Sequence, residues 1–249
     1  MSPDLTYPGG KLRLYVEAGL AAAVRVVIED GQAHYLLHVM RAKLGDRISL
    51  FNGSDGEWLA EVAEIAKRSC TVTCTVQIAP QAEVPDLWLV FAPIKKTPAD
   101  YLTQKATELG VRVLQPVITR RTIVTRVNTE RMRANAVEAA EQSGRVAVPE
   151  IREAAAFDKL LAAWPAERRI LFCDEGGDCA PIAEALAAAP KAPWAVFIGP
   201  EGGFDPAERA HLRGLPLVTP VSLGGRILRA DTAALAALSV WQALAGDWR

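Results

Sequence analysis

The rhythm of apolar and polar positions changes once along this chain. Up to about residue 78 the apolar runs are short and alternate with polar residues; from Leu87 onward they become continuous and of strand length. In the first part, "DRISLFNGSDGEWLAEVAEI" is two alternating runs around Asn52-Gly53-Ser54-Asp55-Gly56, which predicts a hairpin. In "SCTVTCTVQI", Cys70, Val72, Cys74, Val76 and Ile78 alternate with Thr71, Thr73 and Thr75. That period of two predicts a strand with both cysteines on its buried face. "GQAHYLLHVMRAKL" spaces Leu36, Leu37, Met40 and Leu44 as one face of a helix. Residues 1–78 therefore read as a small β-rich module with one helix, in the form of a compact barrel.

"APQAEVPD", residues 79–86, carries two prolines and two acids and reads as a linker. Residues 87–249 form the second domain. "LWLVFAPI", "VRVLQPVI", "RILFCDE", "WAVFIG" and "LVTPVSLG" are its strands. Thr97 as N-cap and Pro98 at the first helical position open a helix that ends at Gly110, with Leu102, Ala106 and Leu109 inward and a Lys105–Glu108 ion pair outside. A second helix spans about 129–143 and is closed by Gly144; "PIAEALAAA" and "PAERAHLR" are two more. Continuous apolar strands alternating with helices predict an α/β fold, a parallel sheet flanked by helices. The last helix, residues 232–245, is apolar on nearly every side, which buries it inside the domain or against a second subunit.

A chain of 249 residues suits one large domain or two unequal ones. No apolar run reaches the ~20 residues of a membrane helix, and the first residues lack a signal peptide pattern, so a cytoplasmic protein without a membrane partner is expected. The four cysteines make no disulfide framework, and Cys173 and Cys179 lack zinc-like spacing; all four are read as reduced thiols. His34 and His38 are four apart on a helix, but no third ligand accompanies them, so no metal is expected. Net charge is −1, which hides a local asymmetry: between Gln115 and Arg145 there are six arginines (120, 121, 126, 131, 133, 145) and three glutamates. Such a segment tracks phosphates or is simply a solvated helix face with a polar loop, and charge alone does not separate the two.

The chemistry concentrates in two glycine loops. "VFIGPEGGFDPAE" is strand, glycine turn and helix, the layout of a nucleotide site, but Glu201 sits inside the turn. Asp205 as N-cap, Pro206 at the first helical position and Glu208 at the third form an acidic capping box, and Pro206 removes a donor. A pyrophosphate would meet carboxylates here, and neither a dinucleotide fingerprint nor a P-loop is present. The loop suits a neutral or cationic ligand that needs close backbone approach. S-adenosylmethionine, with a sulfonium, an ammonium and no phosphate, meets that requirement; a plain strand-to-helix turn with a solvated Glu201 is the alternative. "SLGGRILRADTAAL" repeats the layout, with Asp231 as the expected N-cap and Arg226 and Arg229 ahead of it. Two such loops after neighbouring strands face one crevice at the strands' carboxyl ends. Ile227 and Leu228 would then pack on an adenine while the arginines face an anion such as RNA.

With these stretches in hand the chain resembles the SPOUT methyltransferases and, more closely, the RsmE family of 16S rRNA uracil-N3 methyltransferases. The resemblance rests on "HVMRAKLGD", "QKATELGV", "EAAEQSGR", "VPEI", "IGPEGGF" and "SLGGRILRADTA" in that order, over about residues 34–235. It implies an N-terminal PUA-like RNA-binding barrel, a C-terminal SPOUT α/β domain with a deep trefoil knot, a homodimer, and as substrate 16S rRNA or the assembled small subunit. Carried over by motif position, Gly199, Glu201, Gly202, Gly203, Leu223, Gly224, Ile227 and Leu228 surround S-adenosylmethionine. Arg120, Arg121, Arg126 and Arg145 face RNA, and Arg229, then Arg226, stabilise the uracil anion. Gly225 stands where the family commonly has Pro and Asp231 where Glu is common. The competing functions are a methyltransferase of another RNA base or ribose and a non-catalytic RNA-binding assembly factor.

Overall fold

The computed structural model describes residues 12–94, 96–124, 126–176, 179–187 and 190–248, the side chains of Lys96 and Thr97 excepted. By contacts it divides into two units: the described residues up to Glu83 together with Ala140–Val148, and Val84–Ala139 together with the described residues from Pro149 onward.

In the first unit, β1 (Arg13–Tyr15), β2 (Arg25–Ile28), β3 (Arg47–Phe51), β4 (Glu57–Ile65) and β5 (Cys70–Ala79) form one sheet in the order β1-β3-β4-β5-β2. The β3–β4 hairpin turns at Asn52–Gly56, where Gly53 and Gly56 have φ of +83° and +75° and a Cβ on Gly56 would collide with the Ala79 carbonyl. Cys70, Val72 and Cys74 are buried as the alternation requires, but Val76 is exposed. Ala60 pairs with Cys74 and Leu59 with Val76, so Thr75 is an extra residue, and this bulge turns the following side chains to the other face. The helix over residues 31–44 is shorter than its spacing suggests. Helix α1 (Asp30–His34) passes into a π turn, Tyr35–Val39, closed by Met40 N–H to Tyr35 O at 2.9 Å. Leu36 is fully buried, whereas Leu44 lies beyond the turn and is exposed.

Residues 140–148 group with this unit for a specific reason. The buried Arg13 guanidinium pairs with Glu57 at 2.9 Å and donates to the carbonyls of Ala140 at 2.8 Å, Glu141 at 2.9 Å and Arg145 at 3.2 Å. It satisfies the last-turn carbonyls of a helix end that has no intrahelical partners for them.

The second unit carries β6 (Leu87–Phe91), α2 (Lys96–Glu108), β7 (Val113–Ile118), α3 (Thr129–Ser143), β8 (Glu150–Ile151), β9 (Ala155–Ala156), α4 (Phe157–Ala162) and β10 (Arg169–Cys173). It continues through β11 (Ala180–Pro181), α5 (Ile182–Ala187), β12 (Trp194–Ile198), α6 (Pro206–Gly214), β13 (Val218–Ser222) and α7 (Ala230–Leu244). The sheet order is β11-β13-β10-β12-β6-β7-β8, with β9 also on β7, and every pairing in it is parallel. Alternate residues of each strand feed opposite faces. Leu87, Leu89, Leu171 and Val196 pack with α2, α5 and α7; Trp88, Val90, Ile170, Phe172 and Phe197 pack with α4 and α6. Sheet coverage on both sides explains why these strands read as unbroken apolar runs. Helix α2 begins at Lys96, and the expected Thr97 cap lies outside the described side chains. Leu102 and Ala106 are buried, and Lys105 reaches Glu108 at 2.6 Å. Helix α7 buries Ala234, Ala237, Leu238 and Trp241 within the unit.

Candidate active site

The carboxyl ends of β12, β10 and β13, three neighbours in the sheet, open into one cleft of about 1250 Å³. The first glycine loop leaves β12 at Ile198 and enters α6 through the predicted capping box. Asp205 accepts from Ala207 N–H at 3.0 Å, while Glu208 reaches back to Asp205 N–H at 3.3 Å. The Ala207 N–H, followed by the Arg120 guanidinium, holds the Asp205 carboxyl below its ordinary range. Gly203 N–H closes on Pro200 O at 2.8 Å with Gly203 at φ +68°. A Cβ on Gly199 would lie 2.6 Å from the Phe204 ring, so Gly199 is what lets that ring pass beneath the loop. The Phe204 ring lies edge-on to Phe172 at 5.3 Å and near Phe197 and Phe157. The loop is thus pinned from below.

It is also pinned from the side. Arg120 gives its backbone N–H to Glu208 at 2.9 Å and its guanidinium to Asp205 at 2.9 Å, and Arg121 donates to Gly202 O at 3.0 Å. The arginine segment read from charge is therefore dispersed. Arg131 pairs with Asp100 on α2, Arg126 is exposed in the loop ahead of α3, and Arg145 belongs to the first unit.

The second loop, between β13 and α7, is less constrained. Gly224 has φ +100° and gives its N–H to Ser222 Oγ at 3.1 Å. Leu223 and Leu228 are half-buried, whereas Ile227 is 94 % exposed. Arg226 and Arg229 are exposed, and neither side chain is hydrogen-bonded to a described residue. Arg229 occupies the N-cap of α7, and its side chain makes no capping bond. That displaces the expected cap: Asp231 lies one residue inside the helix and accepts from Thr232 N–H at 2.8 Å. A carboxylate in the first turn still opposes the helix dipole favourably.

Of the residues singled out from sequence, the cleft is lined by Gly199, Glu201 and Gly203 from the first loop. Leu223, Gly224, Arg226, Ile227, Leu228 and Arg229 line it from the second, and Arg121 lines it as well. Gly202, Arg120 and Arg126 do not line it. The His34 and His38 rings lie 4.9 Å apart, tilted by 48°, and no metal-holding cluster exists among the described residues. All four cysteines are free; burial pushes the Cys173 thiol, at the cleft floor, up to about 12, which keeps it protonated and inert. His211 is exposed on α6 and rests edge-on against Phe157. No described helix is long and apolar enough to cross a membrane.

The sequence reading missed one constellation. Asp174, the first residue after β10, is buried and accepts from Arg209 Nε at 2.8 Å and Arg213 Nε at 2.7 Å, two residues one turn apart on α6. Burial pushes its carboxyl up, but the bonds from Arg209, the Gly176 N–H and Arg213 outweigh that and hold it below the usual range. The available signal was an acid directly at the carboxyl end of an apolar strand.

The cleft carries both signs of charge beside apolar surface, which suits a zwitterionic nucleoside such as S-adenosylmethionine. Its walls combine Ile198, Leu223 and Leu228 with the carboxylates of Glu175, Glu201 and Asp231 and the guanidinium groups of Arg121, Arg209, Arg213, Arg226 and Arg229. Known proteins agree. The RNA methyltransferase domain family matches residues 81–242, and the RNA methyltransferase PUA domain family matches residues 28–73. Ribosomal RNA small subunit methyltransferase E of Rickettsia conorii is 32 % identical over 91 % of this chain and 93 % of its own length. Its Synechocystis counterpart is 31 % identical over 93 % of this chain and 77 % of its own. The crystal structure of ribosomal RNA small subunit methyltransferase E from Neisseria gonorrhoeae, bound to S-adenosylmethionine, superposes with a TM-score of 0.83 at 27 % identity, covering 96 % of this chain and 99 % of that one. With an N-terminal PUA-like domain, a helix-flanked parallel sheet and a family match over more than half its length, this chain belongs to the RNA methyltransferase family that includes the ribosomal RNA small subunit methyltransferase E enzymes.

Proposed function

We propose that the protein methylates N3 of a specific uridine in the 16S rRNA of the small ribosomal subunit, using S-adenosylmethionine. The observation that carries this reading is the single cleft formed by two glycine loops that leave β12 and β13 on either side of β10, apolar with both signs of charge inside and with two uncommitted guanidinium groups on its second loop. S-adenosylmethionine supplies an electrophilic methyl group on a sulfonium. Gly224, with open space where a Cβ would stand, admits its close approach to backbone, Leu223, Ile227 and Leu228 offer apolar contact to its adenine, and Glu201 offers a carboxylate to its positive charge.

The remaining chemistry belongs to the RNA base. Uracil N3 becomes strongly nucleophilic only when its proton is lost to solvent, and the charge then spreads onto O2 and O4; its attack on the methyl breaks the methyl–sulfur bond and leaves neutral S-adenosylhomocysteine. Arg229, with Arg226 beside it, donates to those oxygens and stabilises the anion as it forms. Holding the base in line with the methyl supplies much of the remaining acceleration. N3 is a pairing atom, so the base enters unpaired or flipped out of its helix.

The same reading gives the first unit the role of RNA-binding module, with Arg126 and Arg145 on the RNA path, and gives the second unit the trefoil knot of SPOUT proteins, its loops being those that line the cleft. It also includes a homodimer. Support for the dimer is the apolar surface left near the end of α7, where Leu244 and Trp248 remain 37 % and 54 % exposed. The test is incubation with labelled S-adenosylmethionine and either naked 16S rRNA or small subunits, followed by nucleoside mass spectrometry. N3-methyluridine is expected from at least one substrate; its absence from both contradicts the proposal, and a methyl on another base or on ribose assigns a different specificity.

A further inference from the structure

The Asp174 constellation is costly if its only role is stability. A carboxylate this buried must be compensated by close cationic partners, and a well-packed apolar residue would serve a fold at least as well. Asp174, with its side chain 1 % exposed, holds two guanidinium groups, a surplus of one positive charge. The two are not equivalent. Arg213 commits its Nε to Asp174 and an Nη to Cys179 Sγ at 2.9 Å. Arg209 commits only its Nε among the described residues, leaving its Nη groups and a side chain 35 % exposed on the cleft.

Where that free guanidinium lies is set by glycine. A Cβ on Gly176 would collide with the Arg209 guanidinium, so the group lies against the Gly176 backbone. One residue earlier, Glu175 does the same with opposite charge. Its carboxylate lies against Gly203 of the first glycine loop, at the place a Cβ would occupy. Glu175 is exposed, lines the same cleft and has no hydrogen-bond partner among the described residues. A cation and an anion thus line the same cleft, each over a glycine and each with bonding capacity to spare.

That arrangement complements a zwitterion. We infer that Arg209 and Glu175 form the receptor for the amino-acid end of the cofactor, Arg209 taking the α-carboxylate and Glu175 the α-ammonium, with Asp174 as the positioning residue that orients Arg209. This rests on the S-adenosylmethionine reading above. An RNA phosphate is the less suitable ligand, because the same cleft carries the Glu175 carboxylate, which repels a second anion but attracts an ammonium.

Isothermal titration of the full chain with S-adenosylmethionine, S-adenosylhomocysteine and 5′-methylthioadenosine isolates this contact. The last two share adenosine and a neutral thioether and differ in the amino-acid end. Wild type should bind S-adenosylhomocysteine at least about tenfold more tightly than 5′-methylthioadenosine. Arg209→Met should weaken S-adenosylhomocysteine by about 10- to 100-fold while 5′-methylthioadenosine stays within about twofold, and Arg209→Lys should recover part of the loss. Glu175→Gln and Asp174→Asn should show the same selective pattern with smaller losses. Unchanged S-adenosylhomocysteine affinity in Arg209→Met overturns the inference, and so does an equal loss for both ligands, which would mark a structural role. If Arg209→Met instead weakens RNA binding alone, the guanidinium belongs to the RNA and the inference fails. A wild type that binds neither S-adenosylmethionine nor its homocysteine product removes the cofactor reading itself, and this one with it.

Discussion

The two glycine loops share a sequence layout and differ in almost everything else. The first is anchored on three sides: the Phe204 ring beneath Gly199, the capping box behind it, and Arg120 and Arg121 alongside. The second has a bond from Gly224 to Ser222, an almost fully exposed Ile227 and two arginines without partners among the described residues. Anchoring consumes hydrogen-bonding groups, and groups so consumed are unavailable to a ligand. The first loop is therefore a preformed wall, and the second keeps two guanidinium groups unspent among the described residues.

The largest expected effect falls on the anchored side. Phe204→Ala removes the ring on which Gly199 rests and should cost roughly 3 kcal/mol of stability, near the low end for a phenylalanine because this one is only partly buried. A denaturant titration measures it, and S-adenosylmethionine affinity should fall with it. On the open side, Arg229→Ala should lower methyl transfer by about 100-fold, or ~2.7 kcal/mol, with melting temperature and cofactor affinity unchanged. Loss of stability in that variant would erase the contrast between the loops.

Acid should act on the anchored side through Asp174. Its folded pKa lies below the unfolded one, so its stabilisation is complete above the usual carboxylate range near pH 4 and is lost as pH falls through the folded value. Asp174→Asn should be less stable at neutral pH and should lose this part of the acid-unfolding curve; parallel curves for the two proteins would place the charge elsewhere. The smallest effect is expected at Ile227. Ile227→Ala should leave stability within ~0.5 kcal/mol, as an exposed side chain must, yet weaken S-adenosylmethionine about threefold to tenfold by removing contact to the adenine.

What could be read from the sequence follows the same division. The unbroken apolar runs, the hairpin at Asn52–Gly56 and the capping box from Asp205 to Glu208 were legible because each is a local pattern with a local cause. The alternation through the cysteine strand held until Thr75, where pairing with β4 inserts a bulge that no single strand announces. The helix after Gly31 stopped short because a π turn at Tyr35–Val39 breaks the 3.6-residue spacing. Asp231 has the chemistry of an N-cap, but the chain enters α7 two residues earlier, at Arg229. The two glycine loops were found by their spacing. Asp174, Glu175 and Arg209 were not, because their meaning lies in contact between a strand end and a helix 35 residues further on.

The central claim, that both loops close on S-adenosylmethionine, is tested most directly by hydrogen–deuterium exchange of the full chain with and without that cofactor. Protection should rise across residues 199–204 and 222–230, more strongly in the second segment because it starts with fewer bonds, and β1–β5 should be unaffected. Unchanged exchange in both loops at a saturating cofactor concentration, with protection gained elsewhere, would contradict the account.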